Sequence, residues 1–198
     1  MNTNAIISNM RAASLGLALA VITVLFGQGM GIVFGLNEDT IKGRLRESAT
    51  TARDTVYKAD DAAIKAVLDK SWVYMQRAHL HAGGMGTSAV VLIMLVGLLE
   101  ISRRMVAAIG IGLGAGGLGY SPYWMWAGFR APAVGGTNAA KESLAWLAIP
   151  SSGAFVLATI AVLIVLLVRL TALRRDNQGE SMPPGPGRRI QLNTGQSS

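Results

Sequence analysis

Hydrophobic residues are concentrated in four long runs, separated by polar or charged segments. The runs cover residues 12–36, 78–101, 105–129 and 144–168. Each is long enough to cross a bilayer core, which takes about 20 apolar residues in a helix. Only helices and closed barrels satisfy the backbone inside a bilayer. The pattern predicts an all-α fold, an integral membrane four-helix bundle.

The segment between the first two runs, residues 37–71, has a different pattern. Seven acidic and seven basic side chains alternate along it, and it contains no proline. Balanced, interleaved charge is typical of a solvated helical face. Asn37 is a candidate N-cap for the first of two helices, with a break expected at 48–51. We predict a helical extracytoplasmic cap here, with a docking surface for a partner as the alternative.

The basic residues give the expected orientation. Arg103 and Arg104 occupy a tight turn, and Arg169, Arg174 and Arg175 follow the last run, as is typical of a cytoplasmic face. Counting all bases is less decisive, because eight lie on this side and ten on the other. We expect a multi-pass protein of the cell inner membrane with both termini cytoplasmic. The first run exceeds the roughly 7–15 residues of a signal-peptide core, so we expect it to be retained.

Composition narrows the class further. The chain carries a net charge of +7, but its bases flank the apolar runs and form no continuous stripe, so we expect no nucleic-acid partner. It contains no cysteine, which excludes disulfides and thiolate metal sites. Residues 1–175 are predicted to form one transmembrane domain. Residues 176–198 are polar and rich in proline and glycine, and are predicted to be a disordered cytoplasmic tail.

Small residues recur every fourth position in two of the predicted spans. They are Gly27, Gly31 and Gly35 in the first, and Ala108, Gly112 and Gly116, with Gly110 and Gly114, in the third. Such stripes let helix backbones approach closely in lipid. They predict tight packing and a homo- or hetero-oligomer within the lipid bilayer. Gln28 is the one strongly polar side chain of the first span, and we expect it to hydrogen-bond to a neighbouring helix.

Both histidines of the chain lie where the second span begins. On a helix His79 and His81 point about 200° apart, so one ion cannot bind both. Met75 precedes His79 by four residues and Met85 follows His81 by four, a set that suits copper. Haem b is another candidate, although its two axial imidazoles would come from facing helices. The simplest interpretation places both rings at the outer boundary, hydrogen-bonded to carbonyls or carboxylates.

The remaining polar candidates are Arg77, Gln28 and Arg130. Ionisable groups near a bundle interior indicate transport, so a proton-linked transporter or channel is one alternative function. A small redox or metal-handling protein using His79 and His81 is another. The sequence has no nucleotide-binding loop, no HExxH and no GxSxG motif. The leading expectation is therefore a non-enzymatic accessory or structural subunit of a membrane complex.

Overall fold

The described residues, 3–180, come from a computed structural model; they are almost entirely helical and include no strand. The helices are α1 (Thr3–Thr51), α2 (Asp61–Leu98), α3 (Arg103–Arg130), α4 (Thr137–Ser143) and α5 (Ala145–Glu180). All except α4 are long and apolar enough to cross a membrane. The all-α class is confirmed, and the four long helices suggest a multi-pass membrane protein.

The predicted cap is a helical hairpin formed by the ends of α1 and α2. With 49 residues, α1 is about 73 Å long at about 1.5 Å per residue, against a bilayer core of about 30 Å. Both helices therefore have polar ends beyond their apolar segments. Asn37 does not start a new helix. It marks a kink (φ −130°, ψ 22°), and its side-chain amide donates to the Val33 carbonyl at 3.3 Å.

The connection between α1 and α2 is fixed against the loop after α3. The Tyr57 hydroxyl donates to the Pro132 carbonyl at 2.7 Å, and the Tyr57 side chain is buried. Burial raises the pKa of this hydroxyl above its ordinary value. Asp60 caps α2 by accepting from the Ala63 amide at 3.0 Å. Lys58 adopts a left-handed conformation (φ 52°), which turns the chain into that cap.

Glycines set the closest helix contacts. A Cβ added to Gly16 on α1 would lie 2.7 Å from the Gly110 Cα on α3, and one on Gly114 would lie 2.8 Å from the Leu19 Cβ. The other stripe of α3 packs on α5, where a Cβ on Gly112 would lie 3.0 Å from that of Ala158. The predicted close packing of α3 is confirmed, because its two glycine stripes meet two different helices.

The opposite end of the molecule brings the start of α1 to the turn between α2 and α3. The Asn9 side chain is buried there and donates to the Leu99 carbonyl at 2.9 Å. The Ser102 hydroxyl caps α3 by accepting from the Met105 amide.

Pro122 does not end α3, which continues to Arg130. Proline is tolerated inside membrane-spanning helices because neighbouring groups and local adjustments satisfy the backbone carbonyl that it leaves without a donor.

The chain divides into two units after Val162. The first contains α1 to α4 and the beginning of α5. The described part of the second is the continuation of α5 to Glu180. Of the predicted tail, residues 181–198 lie outside the described residues.

Candidate functional site

The two histidines lie on opposite sides of α2. His79 faces α1, where its Nδ1 is 2.7 Å from the Gly27 carbonyl oxygen. Its ring lies against Gly31, since a Cβ there would come within 2.8 Å of the ring Cε1. The glycine stripe of α1 therefore makes room for an imidazole from α2, and His79 is half-buried between the two helices.

His81 faces α3. Its Nδ1 is 2.7 Å from the Arg77 carbonyl oxygen, one turn earlier on α2. The ring stacks on Trp124, with centroids 5.6 Å apart and planes inclined by 22°. Tyr120 meets the same imidazole edge-on at 5.3 Å. The side chain is thus fixed by its own helix and by two aromatic rings of α3.

The hydrogen bonds assign the tautomer that each ring adopts in its neutral form. A carbonyl oxygen can only accept, so Nδ1 of His79 and Nδ1 of His81 each donate a proton. In the neutral imidazole the other nitrogen, Nε2, then carries the lone pair. Each histidine can therefore accept one more hydrogen bond at Nε2, or ligate through it.

Arg77 lies above an aromatic cluster on the same side of α2, formed by Tyr74, Tyr120, Tyr123 and Trp124. Its guanidinium carbon is 5.3 Å from the centroid of Tyr74 and 5.2 Å from that of Trp124. The Arg77 side chain is exposed, and none of the ion pairs among the described residues involves it. Contact with these two rings orients the guanidinium. No carboxylate among the described residues pairs with it, so its positive charge is not neutralised by this part of the chain.

A groove of about 270 Å³ begins beside His81. Its walls come from α2 and the start of α5, and its lining residues are Leu80, His81, Gly84, Met85, Ser88 and Phe155. Four of these six are apolar or glycine, and the other two are His81 and Ser88. The groove is an apolar channel along α2 with the imidazole at one end.

The four residues predicted as metal ligands occupy three different surroundings. His81 and Met85 share the groove. Met75 is fully buried against Ile41 and Leu45, and His79 points to α1. Among residues 3–180, no group of three or more His, Cys, Asp or Glu side chains is placed to hold a metal ion.

The other two polar candidates are both exposed. Gln28 lies on the outer face of α1, and Arg130 is the last residue of α3. Neither joins the histidine surroundings. Trp124, by contrast, is central to them, because it contacts both His81 and Arg77. Its contact with α2 depends on the relative register of two helices, which residue spacing within one helix does not encode.

A second cavity, of about 460 Å³, lies between the two helices of the cap hairpin. Leu45, Ile64, Leu68 and Trp72 give it apolar walls. Its rim is charged, but most of those charges are already paired, for example Lys65 with Asp69 at 3.1 Å. It is an amphipathic cleft with little unbalanced charge.

Comparison with protein-family models gives no match, and searches of curated proteins and of solved structures find no similar protein.

Proposed function

We propose that this chain is a non-enzymatic structural subunit of a membrane complex, and that the outer face of α1 packs against a membrane-spanning helix of a larger partner protein. The observation that carries the proposal is the exposure of Gln28. Its side-chain amide has no hydrogen-bond partner among the described residues. An amide in this position needs one from outside the chain.

The position of Gln28 along α1 keeps its side-chain amide away from the polar end of the helix. Gln28 lies nine positions before Asn37, about 13 Å along the helix, so its short side chain does not reach the polar end. An amide buried in an apolar medium without a partner costs roughly 2–7 kcal/mol. A hydrogen bond from a neighbouring helix removes that cost, and such bonds are worth about 0.6–2 kcal/mol in membranes.

The surroundings of Gln28 fit a helix–helix contact. Exposed residues recur at alternating intervals of four and three along this face of α1: Ser14, Ala18, Val21, Leu25, Gln28, Ile32 and Gly35. This is the 3.5-residue spacing of helices that pack at a shallow angle. A single polar residue in such a seam selects the register and the partner, at some cost in stability.

Other polar side chains within the apolar helices satisfy local backbone groups, which supports a structural role. Thr23 donates to the Leu19 carbonyl at 2.9 Å, and Ser121 donates to the Gly117 carbonyl at 3.0 Å. Their hydroxyl groups are therefore satisfied within their own helices. Gln28 differs from them because its side-chain N–H groups donate to no carbonyl of its own helix.

The experiment is site-specific photocrosslinking in the native host, with a photoreactive amino acid at Leu25 or, as a control, at Val91 on the exposed face of α2. We expect Leu25 to give a crosslink to a larger membrane protein and Val91 to give none. Gln28→Leu should reduce the crosslink at least several-fold, while Gln76→Leu, on the exposed end of α2, should not. Crosslinking only to a second copy of this chain, or none at all, would refute the proposal.

We further propose that both termini lie in the cytoplasm and the cap hairpin lies outside the inner membrane. Arg103 and Arg104, the first two residues of α3, support this orientation because bases that flank a span are enriched on the cytoplasmic side. Because the chain has no cysteine, single cysteines report each side cleanly. Asp54→Cys should react with an impermeant maleimide in intact cells, and Glu100→Cys should react only after lysis. The reverse pattern would invert the topology.

A further inference from the structure

We infer that the face of α2 from Arg77 to Ser88 binds one anionic phospholipid, with its phosphate at Arg77 and one acyl chain in the groove beside His81. This site uses α2, α3 and α5, whereas the proposed partner helix contacts α1. The lipid site therefore does not depend on the proposed function, and either can fail without the other.

Arg77 has the properties of a phosphate ligand. Its guanidinium lies over the rings of Tyr74 and Trp124, and none of its N–H groups has a hydrogen-bond acceptor among the described residues. Guanidinium presents five donors in a planar fork that matches two phosphate oxygens. No carboxylate of the described part of the chain competes for it. An anion from outside the chain is the natural counter-charge.

The level of Arg77 along α2 suits a headgroup. Tyrosine and tryptophan side chains gather around it, and such aromatic residues are enriched where the bilayer meets water. The apolar part of α2 begins directly after it, at about residue 78. A phosphate bound to Arg77 would lie at the membrane surface, with its acyl chains directed along α2.

The groove continues from Arg77 in that direction. His81, Gly84 and Ser88 follow Arg77 at four, seven and eleven positions, so they lie on one side of the helix. Gly84 is exposed, and a Cβ there would meet nothing within 4 Å. The missing side chain leaves the groove open between Leu80 and Phe155. An acyl chain fills this space without displacing any protein atom.

Two glycines provide a matched pair of variants. Gly83 and Gly84 both have open space at the Cβ position, so a side chain at either can leave the backbone without a clash at its first atom. Only Gly84 lines the groove. Gly84→Leu should therefore fill the groove, and Gly83→Leu should leave it empty. Arg77→Gln and Arg130→Gln form a second pair, since both remove one exposed positive charge near the same end of the helices.

The test uses the full chain in phosphatidylcholine vesicles, with Trp72, Trp126 and Trp146 replaced by phenylalanine so that Trp124 alone reports. Brominated acyl chains quench nearby tryptophan. We expect brominated phosphatidylglycerol to quench Trp124 at a several-fold lower fraction of total lipid than brominated phosphatidylcholine does. Arg77→Gln and Gly84→Leu should abolish that difference.

The two control variants, Arg130→Gln and Gly83→Leu, should retain it. Equal quenching by the two lipids in the parent protein would overturn the inference, as would an equal loss in Arg130→Gln. If the triple tryptophan variant does not fold, native mass spectrometry of the otherwise unchanged chain counts bound phosphatidylglycerol instead. One retained lipid that is lost in Arg77→Gln and Gly84→Leu supports the site, and none in the parent refutes it.

Discussion

The contact between α1 and α3 at Gly16 yields a sharp stability prediction. A Cβ at Gly16 would lie 2.7 Å from the Gly110 Cα. Carbon atoms normally approach to about 3.5–4.0 Å, so Gly16→Ala requires the helices to separate by about 1 Å. The opposing atoms belong to the backbone and cannot rotate away. The same interface tolerates Gly110→Ala better, because that Cβ would have its nearest neighbours at 3.7 Å.

The size of the effect follows from comparing matched variants. Overpacking a close contact costs about 1–3 kcal/mol. Alanine also favours a helix over glycine by about 1 kcal/mol, but this gain is common to every Gly→Ala change in α1. Gly35→Ala isolates it, since a Cβ at Gly35 meets nothing within 4 Å. Gly16→Ala should therefore be about 1–3 kcal/mol less stable than Gly35→Ala, about 5- to 150-fold in the folding equilibrium.

The assay is reversible unfolding in mixed micelles with increasing dodecyl sulfate, followed by circular dichroism. Gly16→Ala should unfold at a clearly lower dodecyl sulfate fraction than Gly35→Ala and Gly110→Ala. Equal midpoints for Gly16→Ala and Gly35→Ala would refute the close α1–α3 approach. A loss in Gly110→Ala as large as that in Gly16→Ala would show that the helices meet in a different register.

Three further predictions concern the cap and the histidines. Tyr57→Phe should lower the free energy of unfolding by about 1 kcal/mol, seen as faster amide exchange in residues 52–60. Because burial raises the Tyr57 pKa, the parent should be more stable to heat than Tyr57→Phe by a constant amount below about pH 10. That difference should disappear as the pH rises through the raised pKa. Asp60→Ala should destabilise the start of α2 by about 1 kcal/mol, and Asp60→Asn by much less, in the same exchange measurement. Gly31→Ala should shift the NMR signals of the His79 imidazole and leave those of His81 unchanged; equal shifts would contradict the opposite placement of the rings.

The sequence predicted those parts of the fold that depend on local pattern. Long apolar runs marked the four long helices, because crossing a bilayer requires a nearly fixed number of residues. Helical pitch also separated His79 from His81 correctly, since a two-residue step turns the side chain by about 200°. The structure places the two rings against α1 and α3.

The parts that depend on tertiary register could not be predicted. Asn37 has the chemistry of an N-cap, yet α1 continues through it with a kink, because the charged residues that follow form helix at once. Met75 and Met85 have equivalent spacing from the histidines, but one is in the core and the other lines the groove. Spacing along α2 does not reveal which neighbouring helix covers each side.

The packing behind α1 bears on the proposal that its outer face binds a partner helix. Gly27 precedes Gln28, and its carbonyl oxygen accepts from His79, while a Cβ at Gly27 would lie 2.9 Å from that of Ala82. One turn earlier, the Val24 amide nitrogen would lie 2.9 Å from a Cβ at Gly86. The inner side of α1 therefore packs closely against α2 at two successive turns. Gln28 is presented from a backbone that is already ordered, so the proposed partner helix would gain the amide hydrogen bond without ordering that backbone.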